Sequence, residues 1–250
     1  MTNASLPSRF AESDFQVGRV LNRTSSVLSR NFLTFFVVTA VANLPTQLIF
    51  KGTNAATTGS TGQGAVFLVL GGFLAVVLGV LSQAVVLYGA FQDMRGRQVS
   101  LPESLKVGSS RFFPIVGLAI VMSLAVGLAA MLLIVPGLIL WTMWVVATPV
   151  CVVERLGPFG SMGRSKRLTK GHRWKIFGLM LVLFIVSGVV TPALNLALTA
   201  VGGAVLTLLG GVIWNGIWGA FYAIAVVVTY HDLRVAKEGV DIEQIAAVFD

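Results

Sequence analysis

From Arg155 to Lys175 the chain carries seven cations, Arg155, Arg164, Lys166, Arg167, Lys170, Arg173 and Lys175, and no acid. Basic clusters beside a membrane hold acidic lipid headgroups at about 1 kcal/mol per charge near the surface. Glu154 stands immediately before the run, where it can pair with a neighbouring arginine. The chemistry to expect is contact with a phospholipid headgroup or a protein partner through Glu154, Arg155, Arg164, Lys166, Arg167, Lys170 and Arg173. The same run also serves as a topology signal. Nucleic acid is not an expected partner, because the run lacks stacking aromatics and any known reading fold.

Catalytic constellations are missing. The two histidines, His172 and His231, have no metal-ligand spacing and read as interface residues. Gly157 to Ser165 is glycine-rich but lacks the Lys-Ser/Thr ending of a phosphate loop, and no Gly-x-Ser-x-Gly elbow is present. The expectation is a protein that is not an enzyme, with no cofactor and no metal. Its apolar stretches contain no ionisable residue of the kind that marks a proton relay or ion path. Their polar groups are Asn43, Gln47, Gln83, Asn195 and Asn215. Amides in such places join helices for roughly 1 kcal/mol each. Alternatively, Asn43, Gln83, Asn195 and Asn215 line a polar cavity, and the protein is a flippase-like carrier of a lipid or apolar solute.

The elements that must position these residues are read from charge. Between Arg111 and Glu154 run forty-two residues with no charged side chain. One bilayer crossing takes about 20 apolar residues, so this run suits two. Further charge-free stretches cover 31–50, 52–92 and 176–231, and the whole chain is 56% hydrophobic and 11% charged. The fold class predicted is all-α and polytopic, a single integral membrane domain over 1–250. Residues 1–30 form an interfacial segment, 31–230 the transmembrane region and 231–250 a cytoplasmic tail. Six helices are expected at 31–50, 65–91, 112–135, 137–153, 175–199 and 204–230. Met1 to Phe15 has no apolar core and does not read as a cleavable signal.

With these spans, 17 of the 18 Lys and Arg fall in segments of one side, leaving only Lys51 for the other. Basic residues concentrate in cytoplasmic loops. Both termini are therefore expected inside, with a loop at 52–64, a Pro136-Gly137 turn and a turn near Gly202-Gly203 outside. Trp141 and Trp144 should then mark the outer interface and Trp174 the inner one.

A layout repeats three times: a basic amphipathic stretch, an arginine beside an aromatic residue, and an apolar hairpin. The junctions are Arg30-Asn31-Phe32, Arg111-Phe112-Phe113 and Arg173-Trp174, and the hairpins end Asp93-Met94-Arg95, Glu154-Arg155 and Asp232-Leu233-Arg234. Each unit is expected to be a cytoplasmic interfacial helix plus a hairpin, with Asp14 as one N-cap and Ser100-Leu101-Pro102-Glu103 as a capping box. Small residues at four-residue spacing are expected to pack within the bundle: Gly71, Ala75, Gly79; Ala119, Ser123, Gly127; and Gly211, Asn215, Gly219, Ala223.

The run from Pro149 to Pro158, with Ser161, Arg164-Ser165, Leu168 to Gly171 and Trp174, resembles a known signature. It is that of the bacterial six-helix YciC-like membrane proteins, and of the membrane module attached to some glycerophosphodiester phosphodiesterases. The Pro136-Gly137 pair and the Tyr230-x-Asp232-Leu233-Arg234 ending also fit. The resemblance implies a protein of the bacterial inner membrane with an accessory role. The phosphodiesterase activity belongs to a separate soluble domain whose metal-binding residues this chain lacks. The expected function is to organise or regulate envelope partners, or to contact anionic phospholipid, through the basic cytoplasmic face. Membrane phospholipids, another membrane protein or a second copy are the expected partners.

Overall fold

The computed structural model describes residues 15–56 and 61–238. Among them every regular element is an α-helix: α1 (Val17–Arg30), α2 (Phe32–Ala56), α3 (Thr61–Met94), α4 (Leu101–Ser110), α5 (Phe112–Leu132), α6 (Ile134–Trp144), α7 (Ala147–Val153), α8 (Pro158–Thr169) and α9 (Arg173–Glu238). Five stretches are long and apolar enough to cross a membrane: Gly71–Met94, Phe112–Leu132, Ile134–Val153, Arg173–Gly203 and Val205–Glu238. They become six if α1 and the first part of α2, joined at a 90° bend, count as one.

Local chemistry sets the breaks. Pro102 and Pro158 stand in the first turns of α4 and α8, where a missing N–H costs nothing and the fixed φ suits a helix. Asn31 and Arg111 interrupt the chain at matching places, between α1 and α2 and between α4 and α5. The ring and absent N–H of Pro149 deny the carbonyl of Val145 its usual partner. The helix accordingly stops at Trp144 and restarts at Ala147, so the expected span at 137–153 is two segments, α6 and α7.

Other expectations are corrected. The turn between α5 and α6 is not Pro136-Gly137 but the single extended residue Leu133 (φ −154, ψ 133). Pro136 falls within the first turn of α6. Gly137 serves close packing instead: a Cβ there would lie 2.6 Å from Cβ of Ala130 and 2.8 Å from its Cα. Much of the expected loop at 52–64 is helix, since α2 runs to Ala56 and α3 starts at Thr61. Asp14, the expected cap of α1, lies outside the described residues, and Gln16 occupies the N-cap position. Ser100 caps α4 in position but its side chain makes no capping bond.

The turn near Gly202-Gly203 is borne out. Gly203 (φ 65, ψ −161) breaks α9 into two arms. Trp214 Nε1 donates to Thr191 Oγ1 at 2.8 Å across them. The second arm packs on α2, where Thr39 Oγ1 lies 2.6 Å from the carbonyl of Gly216. A Cβ on Gly216 would meet Phe36 at 3.1 Å and Ala40 at 3.2 Å.

Buried apolar side chains gather toward the end of the molecule that holds α1. Val20 and Val27 of α1 join Leu87 of α3, Val150 of α7, and Ile176 and Ile224 from the two arms of α9. A second cluster joins Ala84, Ile115, Cys151 and Met162, from α3, α5, α7 and α8. Leu132, Ile134, Val201 and Val205, around the far turns, are exposed.

A candidate site on the cationic end face

Three acids stand at or near the ends of α3, α7 and α9, and an arginine reaches each. Arg30 Nη2 lies 2.7 Å from Asp93 Oδ2, while Asn31 Nδ2 donates to Asp93 Oδ1 at 2.7 Å. Arg164 Nε donates to Glu154 Oε2 at 2.9 Å and Oε1 at 3.2 Å. Arg23 Nη1 lies 3.5 Å from Asp232 Oδ1 and 3.3 Å from His231 Nδ1. These pairs gather the C-terminal ends of α3, α7 and α9 at one end of the bundle.

Around Glu154 the pairing extends into a network. Tyr230, fully buried, donates its hydroxyl to Glu154 Oε1 at 2.9 Å. Arg164 Nη2 also pairs with Glu238, whose second oxygen accepts from Arg234 Nε at 3.1 Å. Arg234 Nη1 closes the ring by donating to Tyr230 Oη at 3.3 Å. Burial disfavours the charge on Arg164, but the bonds and charges of Glu154 and Glu238 outweigh it and hold the guanidinium above its ordinary pKa. Glu103, expected to close a capping box, instead accepts from Tyr88 Oη at 2.7 Å and Gln92 Nε2 at 2.9 Å.

The expected contact residues therefore divide. Glu154 and Arg164 are committed to each other and to the network. Arg155, Lys166, Arg167 and Lys170 are exposed. Lys166 and Arg167 occupy the last turn of α8, where a helix end favours cations. Arg155 adopts φ 57, the only positive φ of a non-glycine residue among those described. Arg173 stands apart: half-buried, with its Nε enclosed and without a hydrogen-bond partner.

One face of α8 is fixed from within. Ser161, Ser165 and Thr169 recur every four residues, hence on one side of the helix, and all are fully buried. Ser161 Oγ donates to the Leu156 carbonyl at 3.3 Å and Ser165 Oγ to the Met143 carbonyl at 2.9 Å. Thr169 Oγ1 reaches Met143 O at 3.3 Å and Ser165 O at 3.0 Å. With this face seated on α6, the cations at 166, 167 and 170 point outward.

The aromatic and amide expectations fare differently. Trp174 is 85% exposed beside the cations. Trp141 and Trp144 are half-buried, each packed against one of the buried clusters, on either side of Met143, whose carbonyl α8 holds. The four amides are not brought together. Asn43, Asn195 and Asn215 each donate to the carbonyl one turn back in their own helix, on Thr39, Thr191 and Gly211 at 2.8, 2.9 and 2.8 Å. Gln83 is half-buried in α3. The stripe on the second arm of α9 packs internally as expected, Gly211 facing Gln47 and Gly219 facing Asn43 and Thr39. That on α5 does not: Ala119, Ser123 and Gly127 are exposed, and a Cβ at Gly127 would meet nothing within 4 Å.

A groove of about 400 Å³ lies between α6 and the start of α9, lined by Val135, Leu138, Ile139, Thr142, Arg173, Trp174 and Phe177. None of the four amides reaches it. His231 is buried against Arg23 and Asp232, and no group of three metal-ligating side chains occurs among the described residues.

Sequence reasoning missed Tyr230, Arg234 and Glu238 as members of the Glu154 network. The recurrence of an acid after each pair of spans was a usable signal for Asp93, Glu154 and Asp232. Nothing comparable pointed to Glu238. No family model, no curated protein and no solved structure matches the chain.

Proposed function

We propose that the chain is a non-catalytic multi-pass protein of the bacterial inner membrane, with both ends cytoplasmic, whose basic face contacts anionic phospholipid and the partners it organises. In this reading α1, α4 and α8 are the interfacial helices of three hairpin units, and the YciC-like resemblance is part of the proposal. The observation that carries it is the sorting of charge. Glu154, Glu238, Asp93 and Asp232 are taken up by arginines, which leaves Arg155, Lys166, Arg167 and Lys170 outward. A face that neutralises its acids internally and displays its cations presents a net positive field to anionic headgroups.

The test is to neutralise Lys166, Arg167 and Lys170 together to Gln, leaving Arg164 intact because it holds Glu154 and Glu238. Protein released gently from membranes should retain several-fold less phosphatidylglycerol, read by mass spectrometry, while neutral lipid is unchanged. Equal retention of the acidic lipid, with the same proteins co-purifying, would remove the reading. Epitope tags at Met1 and Asp250 found on opposite faces of the membrane would remove its topology.

A further inference from the structure

The groove between α6 and α9 joins a largely apolar lining to a single cation. Along α6, Val135, Leu138, Ile139 and Thr142 form one wall at spacings of three and four residues, so one helix face supplies it. The Thr142 hydroxyl is spent on the Leu138 carbonyl at 2.8 Å, so that wall is effectively apolar. Phe177 and Trp174 form the opposite wall, and Arg173 provides the charge. The volume of about 400 Å³ falls within the roughly 300–1,000 Å³ typical of small-molecule sites.

Arg173 distinguishes this groove from a fold in a lipid-facing surface. Arg164 and Arg234 of the Glu154 network each have a carboxylate. Arg173, which no ion pair engages among the described residues, keeps an enclosed Nε with no hydrogen-bond partner, a condition it shares with Arg95 after α3. A buried guanidinium nitrogen without a partner is costly, and its planar fork matches a phosphate through two parallel bonds. Phe177 stands one turn beyond Arg173, so the charge lies at the start of α9 and the apolar surface continues along it. An amphiphile with an anionic head and a hydrocarbon chain complements both parts. A soluble anion would leave the apolar walls unused, and a neutral lipid would leave the guanidinium unanswered.

We propose that this groove is a specific site for one acidic phospholipid, with its phosphate on Arg173 and one acyl chain against Leu138, Ile139 and Phe177. It rests on the reading of the cationic face in taking acidic lipid as the ligand, but differs from it in naming one enclosed place rather than a diffuse field. Trp174, exposed at the rim, reports on occupancy.

The experiment places the full chain in phosphatidylcholine nanodiscs with increasing fractions of phosphatidylglycerol whose chains are brominated. Quenching that disappears in Trp174→Phe comes from the groove. Half-maximal quenching should need about tenfold less brominated phosphatidylglycerol than brominated phosphatidylcholine, the scale of one charge-assisted phosphate contact. Arg173→Gln should abolish that preference and Arg173→Lys, which keeps the charge without the planar fork, should keep only part of it, which separates lost charge from lost fold. Leu138→Phe, which fills the groove and leaves the charge, should weaken both lipids. Equal quenching by the two lipids, or a preference that survives Arg173→Gln, would overturn the site. So would displacement by glycerol phosphate at the potency of the lipid, which would assign it to a soluble anion. The Lys166, Arg167 and Lys170 triple variant runs alongside. If it loses lipid retention while the groove variants are silent, only the groove is wrong. If it loses nothing while Arg173→Gln loses the preference, only the diffuse face is wrong.

Discussion

Arg164 and Glu154, ten residues apart in the chain, meet at 2.9 Å because α8 folds back over the end of α7. Both side chains are about four-fifths enclosed, so each would be costly to leave alone. Removing one partner of such a pair costs more than the pair contributes, since the other charge stays behind. Arg164→Met should destabilise the protein by about 2–3 kcal/mol. Glu154→Gln should cost less, as its amide oxygen can still accept from Tyr230. The double variant should lie well short of the sum. Thermal unfolding of all four proteins in one detergent checks this, and strict additivity would refute the coupling.

Arg155 holds φ 57 immediately after the last turn of α7, a conformation that costs a side chain roughly 1–2 kcal/mol relative to glycine. Arg155→Gly should therefore raise stability by up to about 1 kcal/mol, although it removes a charge from the cationic face. Arg155→Val, β-branched, should lower it. Unfolding midpoints ranked Gly, Arg, Val from high to low are the expected result.

Two glycines of similar sequence context should behave oppositely. A Cβ on Gly137 would fall 2.6 Å from Ala130, whereas one on Gly127 meets nothing. Gly137→Ala should push α5 and α6 apart at a cost of about 1–3 kcal/mol. Gly127→Ala should be neutral or slightly stabilising. Comparing their unfolding temperatures with the parent protein decides the matter.

Much of this architecture was legible in advance because the bilayer imposes so strong a pattern. Charge-free runs located the long helices, and Gly203 was expected as a turn since its neighbours are small and uncharged. The interruption at Val145 was not foreseen, although Pro149 was in plain view, because a proline acts on the residue four positions earlier and hydropathy there is unbroken. Pro136-Gly137 was mistaken for a turn by composition, when its glycine serves a helix crossing. Partner choice was the least visible. Arg23 and Asp232 are separated by 209 positions, and no local spacing relates them. The serine and threonine face of α8 was hidden by the cations interleaved with it, since a basic helix reads as surface until its other side is seen.

Cys151 offers a simple check on packing. It is the only cysteine, fully buried, with its thiol 3.4 Å from the Leu156 carbonyl. A membrane-permeant maleimide should leave the folded protein unlabelled and modify it after denaturation in SDS. In a Cys151→Ala background, Lys166→Cys and Gly202→Cys should react with an impermeant maleimide from opposite faces of oriented vesicles. Labelling of both from one face would contradict the proposed arrangement.

The bond between Arg23 and Asp232 ties the earliest described helix to the latest. A ribosome must emit every residue through Asp232 before that clasp can form, so products that stop short of it leave α1 without this mate. Any quality-control protease that samples exposed helix ends would meet an unclasped α1 in a chain stalled before Asp232, and a latched one only once that residue has been made and folded into place.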